Sequence, residues 1–391
     1  MIERIGLRGP EKDMVHSVGT TGLAICLALL PAQLMAQPSA QDGRAADARA
    51  SSRSSPIPAK LDSMVPRLMA TYHVPGVSIV GIENRRITWE RHYGVRAADR
   101  PEKVDRGTVF EACSMTKTPF AYVVLKLVER GKLELDRPLV ACLDKPYLTD
   151  EPLHERITAR MVLSHTTGFP NWRKGGWRKG GKLPVRFEPG TKFGYSGEGF
   201  LYLQRVVEQI TGTPVEAYMK RELFGPLGMT ISSYVWEDRY EDLAAAGHDA
   251  KGKVKPNRSL FRQANAGYSL YCTAYEYAKF LVEILRDDRS ARHSLRARSI
   301  DAMLTPTTQA TGRKPIVRSG KTTSKVTYYG LGWAIDKTAS GHRAYHGGSN
   351  GTGFRCYCEF DRKRGTGIVI MTNALSGARL WHRVIGAVGA P

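Results

Sequence analysis

Apolar residues recur with a helical period in several stretches of the chain. Side chains that are three or four residues apart share one face of a helix, so such a period predicts amphipathic helices. One run, at 157–164, begins at Thr158, a residue that favours helix N-termini, and another ends near Gly131, a natural helix stop. The predicted helices are 61–72, 118–128, 157–164, 200–211 and 380–388.

Strand-like runs stand at both ends of the chain. Near the beginning, two such runs flank Glu83-Asn84-Arg85, which is typical of a hairpin turn. Short connections favour antiparallel pairing among the later runs. Strands at both ends with helices between them predict one sheet whose halves meet across the chain, a layered α+β fold. The predicted strands are 77–82, 86–94, 329–335, 343–346, 353–360 and 367–373.

Length and composition suit a folded enzyme-sized protein. The chain has 391 residues, of which 42% are hydrophobic and 24% are charged, and this excludes a disordered or fibrous class. With 58 basic and 37 acidic residues the formal net charge is +21, which first suggests nucleic-acid binding. The basic residues are spread along the chain without a DNA-binding motif, so we expect no nucleic-acid partner.

The N-terminus has the pattern of a targeting segment. Basic residues precede an apolar run at 22–31 that is too short to span a bilayer, which predicts a secretory signal peptide at 1–36 cleaved after Ala36. Residues 37–57 are rich in Ala, Ser, Arg and Pro and predict a flexible leader. We therefore expect a periplasmic or secreted protein whose domain spans 58–391, with no integral membrane segment in the mature chain.

Five cysteines would remain after that cleavage, so at least one thiol stays free. Cys356 and Cys358 alternate on a predicted strand and should face the same side, which does not favour a bridge between them. Cys113 is interpreted as a packing residue. No Cys/His grouping has metal-ligand spacing, and we expect neither a metal nor an organic cofactor.

The stretch from Phe110 to Lys117 carries the candidate chemistry. Ser114 and Lys117 are three residues apart, and at a helix start this spacing places hydroxyl and amine within contact. A serine hydroxyl needs a nearby proton acceptor, and a lysine can serve where burial holds it partly neutral. The apolar run that follows predicts such burial. Since serine and lysine are common, the pair needs support from other motifs.

That support comes from motifs further along the chain. Tyr195 lies in a predicted turn before a helix, and His346 lies at the end of a predicted strand. The remaining motifs are Leu163-Ser-His-Thr-Thr-Gly-Phe, Phe224-Gly-Pro-Leu-Gly-Met and Tyr329-Gly-Leu-Gly-Trp. In this order they make the chain resemble the serine β-lactamase and penicillin-recognising hydrolase superfamily. The resemblance covers roughly residues 58–390 and is strongest to the class C branch, with the related D-Ala-D-Ala peptidases and family VIII esterases.

The resemblance implies a fold and a set of roles. It implies an antiparallel sheet from 75–110 and 326–391, with a mainly helical insertion at about 111–325. Ser114 would form an acyl-enzyme, with proton transfer shared by Lys117 and Tyr195. Backbone N–H groups of Ser114 and Ser349 would form the oxyanion hole. The implied substrate-binding residues are His346, Gly347, Gly348 and Ser349.

Two departures from the family pattern concern the substrate. Position 197 is Gly where many relatives carry an Asn whose amide contacts the substrate's acylamino group, and His346 replaces a lysine. Both changes weaken the β-lactamase and peptidase interpretations relative to an esterase. His165 is interpreted as structural and Lys321-Thr-Thr as a loop.

The leading interpretation is a secreted enzyme with β-lactamase-like hydrolysis of an amide or lactam. The alternatives are a family VIII carboxylesterase, a D-Ala-D-Ala peptidase and a non-hydrolysing penicillin-binding protein. A small-molecule or peptide acyl donor is the expected partner, and the oligomeric state stays open. The tandem repeat Trp-Arg-Lys-Gly-Gly at 172–181, ending at Lys182, is either a solvated loop or a basic surface that steers anionic substrates or contacts the anionic cell envelope.

Overall fold

A computed structural model describes residues 55–256, 258–311, 317–318, 321–322, 326–338 and 341–388. The predicted signal peptide and the leader up to residue 54 lie outside the described residues. The α-helices within these ranges are α1 (Pro56–Tyr72), α2 (Lys117–Glu129), α3 (Ala159–Leu163), α4 (Gly197–Thr211), α5 (Val215–Met219), α6 (Tyr240–Leu243), α7 (Ala274–Leu285), α8 (Ala297–Leu304) and α9 (Gly377–Val388). Single helical turns of other types lie at Cys113–Thr116, Leu139–Cys142, Pro152–Arg156, Trp177–Lys179 and Lys220–Phe224.

The strands in the same part of the chain are β1 (Gly76–Glu83), β2 (Arg86–Gly94), β3 (Phe110–Glu111), β4 (Tyr271–Cys272), β5 (Thr308–Gln309), β6 (Val317–Arg318), β7 (Lys321–Thr322), β8 (Thr327–Tyr329), β9 (Ala334–Thr338), β10 (Gly341–Ser349), β11 (Arg355–Asp361) and β12 (Thr366–Thr372). Eight of them form one antiparallel sheet in the order β2-β1-β12-β11-β10-β9-β8-β5. Val77 of β1 lies opposite Thr372 of β12, so strands from the two ends of the chain pair within one sheet, as predicted.

Helices cover both faces of this sheet. On one face α1 and α9 pack with fully buried side chains such as Leu61 and Val384. On the other face α2 and α7 contribute Phe120 and Phe280 to a larger core. Central strands are therefore buried on both sides, which explains their nearly continuous apolar composition. This layered α+β architecture confirms the predicted fold class.

Two details differ from the sequence prediction. The run at 329–335 is not one strand, because a turn separates β8 from β9. Gly332 in this turn has a φ of +88°, which is costly for other residues, and its N–H donates to the Leu163 carbonyl at 2.8 Å. Lys321, predicted in a loop, is part of the short hairpin of β6 and β7.

The predicted helices are all found, with α1, α4 and α9 beginning three to five residues earlier than expected. β5, from the region predicted as a helical insertion, joins the sheet at one edge. The proposed domain boundaries stay a prediction. None of the helices in the described residues is long and apolar enough to cross a membrane.

Candidate active site

The candidate nucleophile lies in a tight turn between β3 and α2. Ser114 is part of the helical turn Cys113–Thr116, which leads directly into α2, so the predicted helix entrance is correct to within one turn. Cys113 has a φ of +53°, a conformation that non-glycine residues rarely adopt. Its side chain is fully buried, and its Sγ donates to the Glu111 carbonyl at 3.3 Å. The turn therefore presents Ser114, which is partly exposed, while its neighbours stay packed.

Lys117 is the first residue of α2 and is only 1% exposed. Its Nζ lies 3.4 Å from Ser114 Oγ and donates a hydrogen bond to the Gly267 carbonyl at 2.6 Å. The same atom is 4.9 Å from the ring centroid of Tyr195. The structure thus brings Ser114, Lys117 and Tyr195 together from separate parts of the chain. The contact with Gly267 was not predicted, because nothing in the sequence links two positions so far apart.

Tyr195 lies in the turn before α4, as predicted, and His165 holds this turn. The two rings are 4.2 Å apart between centroids. His165 has a φ of +58°, and its Nδ1 accepts the N–H of Ser196 at 3.1 Å. Ser196 Oγ in turn accepts the Gly199 N–H and caps α4. This geometry agrees with the structural interpretation of His165, since its contacts orient the residue that follows Tyr195.

His346 lies inside β10 rather than at its end, and it is 2% exposed. Its Nδ1 lies 2.9 Å from the Gly347 carbonyl, and its ring centroid is 6.3 Å from that of Tyr195. A buried imidazole in such contacts does not offer a substrate carboxylate the fixed cation that the lysine of the family pattern supplies. The four predicted binding residues nevertheless share one strand, and Gly347 and Ser349 are exposed.

Strand β10 passes directly over the nucleophile turn. A β-carbon added at Gly348 would lie 2.3 Å from the Ala112 carbonyl oxygen and 3.1 Å from Cys113 Cβ. Real carbon atoms do not approach a backbone oxygen so closely, so glycine is required at this position. The close approach brings the end of β10, with Ser349, next to the turn that carries Ser114.

Glu111 is a site residue that the sequence interpretation missed. One of its carboxylate oxygens accepts hydrogen bonds from Thr352 Oγ1 at 2.7 Å and from Asn350 Nδ2 at 3.2 Å. Burial raises the pKa of this carboxyl to about 7, although both donors act in the opposite direction. Glu111 therefore ties the turn after β10 to the strand that leads to Ser114. A lone acid between Phe110 and Ala112 in an apolar stretch was the available signal.

The tandem repeat is identical in sequence but not in environment. In the first copy, Arg173 makes a two-pronged ion pair with Glu198, at 3.0 Å from Nε and 2.8 Å from Nη2. Glu198 is completely buried there. In the second copy Arg178 is exposed, while Trp177 Nε1 donates to the Tyr268 hydroxyl at 3.1 Å. A solvated loop therefore describes the second copy, whereas the first is anchored in the protein.

The cysteines are packing residues with free thiols in the described part of the chain. Cys356 and Cys358 face the same core, as predicted. The five cysteines in the described residues are all free thiols. Within the same part of the chain, no group of three or more His, Cys, Asp or Glu residues is arranged to hold a metal ion. The chemistry that the site can support is nucleophilic acyl transfer, with a hydroxyl beside an amine and a phenol.

Comparisons with known proteins agree with this geometry. The Beta-lactamase family model matches residues 61–387. Protein flp of Staphylococcus aureus is 23% identical over 224 residues, which cover 53% of this chain and 45% of that protein. Putative penicillin-binding protein PbpX of Bacillus subtilis is 24% identical over 76% of this chain and 71% of its own. Esterase EstB of Burkholderia gladioli is 30% identical over 52% and 57% of the two chains. The match thus spans only about half the length of Protein flp and EstB.

Solved structures share the fold. The D-alanine carboxypeptidase AmpC from Burkholderia cenocepacia superposes with a TM-score of 0.69 at 20% identity, over 85% of this chain and 99% of that one. A β-lactamase/D-alanine carboxypeptidase from Pseudomonas syringae gives a TM-score of 0.70 at 18% identity, over 86% and 100%.

Proposed function

Because the chain belongs to the Beta-lactamase family, we propose that it is a serine hydrolase that forms an acyl-enzyme on Ser114. The observation that carries this proposal is the buried amine of Lys117, 3.4 Å from the Ser114 hydroxyl. A hydroxyl becomes an effective nucleophile only when a neighbouring group takes its proton. Lys117 is that group in the proposed reaction.

The proposed steps follow from the positions of the side chains. Ser114 Oγ attacks the substrate carbonyl carbon and passes its proton to Lys117. The backbone N–H groups of Ser114 and Ser349 stabilise the negative oxygen, an effect worth about 10²–10³-fold in rate per donor in other enzymes. Tyr195, in contact with Lys117, delivers the proton to the leaving group as the intermediate collapses. Water then enters, the same groups act in reverse, and the acid is released.

Among acyl substrates, a carboxylic ester agrees best with the site. Gly197 offers no amide for an acylamino group, and the Trp172 ring fills the space in which a side chain at 197 would lie. His346 is a buried imidazole at the position where the family pattern has a lysine, whose fixed charge would hold a substrate carboxylate. An ester needs neither of those contacts, and EstB, one of the relatives, is named an esterase. We infer that a carboxylic ester is the substrate class, which places the esterase ahead of the lactamase interpretation.

Hydrolysis of an amide or lactam is the second candidate. The ring of Tyr195 lies beside Lys117 Nζ, an arrangement that supports protonation of a nitrogen leaving group, which departs poorly without a proton. A D-Ala-D-Ala peptidase would use the same first step. So would a penicillin-binding protein whose acyl-enzyme forms but is not hydrolysed. The name of PbpX suggests the latter.

Export is also part of the proposal. Residues 1–36 would direct the chain out of the cytoplasm, so that the enzyme meets a small-molecule or peptide acyl donor in the periplasm or outside the cell. Mass spectrometry of the protein recovered from cells tests this part, because an N-terminus at Met1 or Met14 would contradict it.

The decisive experiment compares wild type with Ser114→Ala. Each protein is given p-nitrophenyl acetate or a chromogenic cephalosporin, while product release and intact protein mass are followed. We expect ester turnover with a transient acetyl adduct, and a loss of about 10³-fold or more in Ser114→Ala. Cephalosporin turnover without ester turnover would move the protein to the lactamases. A lasting adduct without turnover would make it a penicillin-binding protein, and ester turnover that survives in Ser114→Ala would refute the role of Ser114.

A further inference from the structure

The first copy of the tandem repeat places an indole next to the candidate catalytic residues. A β-carbon added at Gly197 would lie 2.3 Å from Trp172 Cζ2, and one added at Gly267 would lie 3.0 Å from Trp172 Cη2. The indole therefore rests on two glycines, and it can do so only because neither has a side chain. Each of these glycines is also linked to one of the two candidate proton-transfer residues, Lys117 and Tyr195.

Each link is short. Gly267 supplies the carbonyl that accepts the Lys117 Nζ hydrogen bond at 2.6 Å. Gly197 is two residues after Tyr195 and begins α4, and its N–H donates to Asn171 Oδ1 at 2.9 Å. Asn171 directly precedes Trp172, so the ring is fixed from its own backbone as well. A single residue, Gly267, thus separates the indole from Lys117, and Gly197 with Ser196 separates it from Tyr195.

Other aromatic rings extend this surface. Tyr268 meets Trp172 edge to face, with 5.4 Å between ring centroids. Trp177 holds the Tyr268 hydroxyl through its indole N–H. All three side chains are only partly buried, so they keep apolar surface available to a ligand. The ion pair of Arg173 with the buried Glu198 holds the segment in place.

We propose that Trp172 and Tyr268 form an aromatic wall of the acyl-binding subsite, which selects acyl donors that carry an aryl group. The proposal rests on the proposed serine hydrolase function and narrows its substrate class. Where the family pattern has an amide that recognises an acylamino group, this chain has a flat apolar surface. Aromatic rings prefer edge-to-face or offset contacts, and this surface can provide them to a phenyl group.

The test compares an aryl with a small acyl group on the same leaving group. The kcat/KM of p-nitrophenyl phenylacetate is divided by that of p-nitrophenyl acetate, for wild type, Trp172→Ala, Trp172→Phe and Arg178→Ala. We expect this ratio to fall about 3- to 10-fold in Trp172→Ala, to recover largely in Trp172→Phe, and to change less than about 2-fold in the control Arg178→Ala, an exposed position in the second copy of the repeat. In Arg178→Ala, an exposed position outside the proposed wall, turnover of both esters should stay near wild type.

The experiments distinguish an incorrect subsite proposal from an incorrect hydrolase proposal. An unchanged ratio in a folded Trp172→Ala protein would overturn the subsite while leaving the hydrolase intact. If wild type hydrolyses neither ester, the hydrolase proposal fails, and a binding measurement decides about the wall. The binding measurement is saturation-transfer NMR with the neutral probe phenylacetamide. Saturation should pass from the Ser114→Ala protein to the ring protons of the probe, and it should not do so from the Ser114→Ala/Trp172→Ala protein. Equal transfer in both proteins would overturn the wall.

Discussion

Substitution of Gly197 by alanine tests the packing that defines the site. Glycine inside a helix is less stable than alanine by about 0.5–1 kcal/mol, so at Gly197, the first residue of α4, the change alone should stabilise the helix by at most this amount. The new β-carbon, however, would lie 2.3, 2.5 and 2.8 Å from three atoms of the Trp172 ring. Carbon atoms in contact are normally about 3.5–4 Å apart, so the indole would have to move by more than about 1 Å.

Forcing extra atoms into a packed site costs about 1–3 kcal/mol, which exceeds the helix gain. We therefore expect Gly197→Ala to lower the free energy of unfolding by about 0.5–2 kcal/mol. In a Trp172→Ala background the obstacle is gone, and the same substitution should raise it by at most about 0.5–1 kcal/mol. The sign reversal corresponds to a coupling energy of about 1–3 kcal/mol between the two positions.

The measurement is urea unfolding of wild type, both single variants and the double variant, followed by far-ultraviolet circular dichroism. Gly212→Ala would be a poor control, because Gly212 has a φ of +59°, whereas Gly386 lies inside α9 with nothing near its added β-carbon. Gly386→Ala should be stabilising in both backgrounds. If Gly197→Ala has the same effect with and without Trp172, the ring does not occupy the position described, and the aromatic wall fails with it.

Two further predictions concern buried charge. Burial raises the pKa of Glu111 from 4.5 to about 7, so the folded chain binds this proton more tightly than the unfolded chain. The resulting stability is full below pH 4.5 and is lost as pH rises through about 7. Between about pH 5 and pH 8, wild type should lose about 2 kcal/mol relative to Glu111→Gln in urea unfolding, and parallel curves would contradict this. Arg173→Ala leaves the Glu198 carboxylate buried without its partner and should cost about 3–5 kcal/mol in the same assay, whereas Arg178→Ala should stay within about 0.5 kcal/mol. Equal losses would mean that the two repeats are equivalent.

The elements with strong local signals were predictable from the sequence. Apolar residues recur with a clear period in the helix at 61–72 and in the strand at 77–82. The spacing of three residues between Ser114 and Lys117 brings the two side chains together in any helical turn. A single sheet built from strands of both ends of the chain was also expected, because strands at both ends need partners. The turn that separates β8 from β9 was not expected. A glycine in an apolar run does not by itself indicate a turn, because its φ is not visible in the sequence.

Contacts made across the fold could not be predicted in this way. Gly267 accepts a hydrogen bond from Lys117 over a separation of 150 residues, and Asn350 reaches Glu111 over 239. Neither pair has a local pattern, because the energy of each contact depends on where the packed helices and strands place the two groups. The candidate catalytic pair was thus visible in the sequence, whereas the groups that contact it became visible only in the fold.

The tandem repeat shows why residue type alone does not determine a role. Arg173 and Arg178 follow identical tryptophans and precede identical Lys-Gly-Gly segments, so sequence alone predicts equal roles. One guanidinium meets the carboxylate of Glu198 at the beginning of α4, and the other meets solvent. The difference arises because α4 begins at Gly197, where the absence of a side chain admits the first indole and draws the arginine beside it towards the buried acid. Two identical segments thus hold an anchored arginine and an exposed one, and the unequal losses expected for the two arginine variants would measure that difference directly.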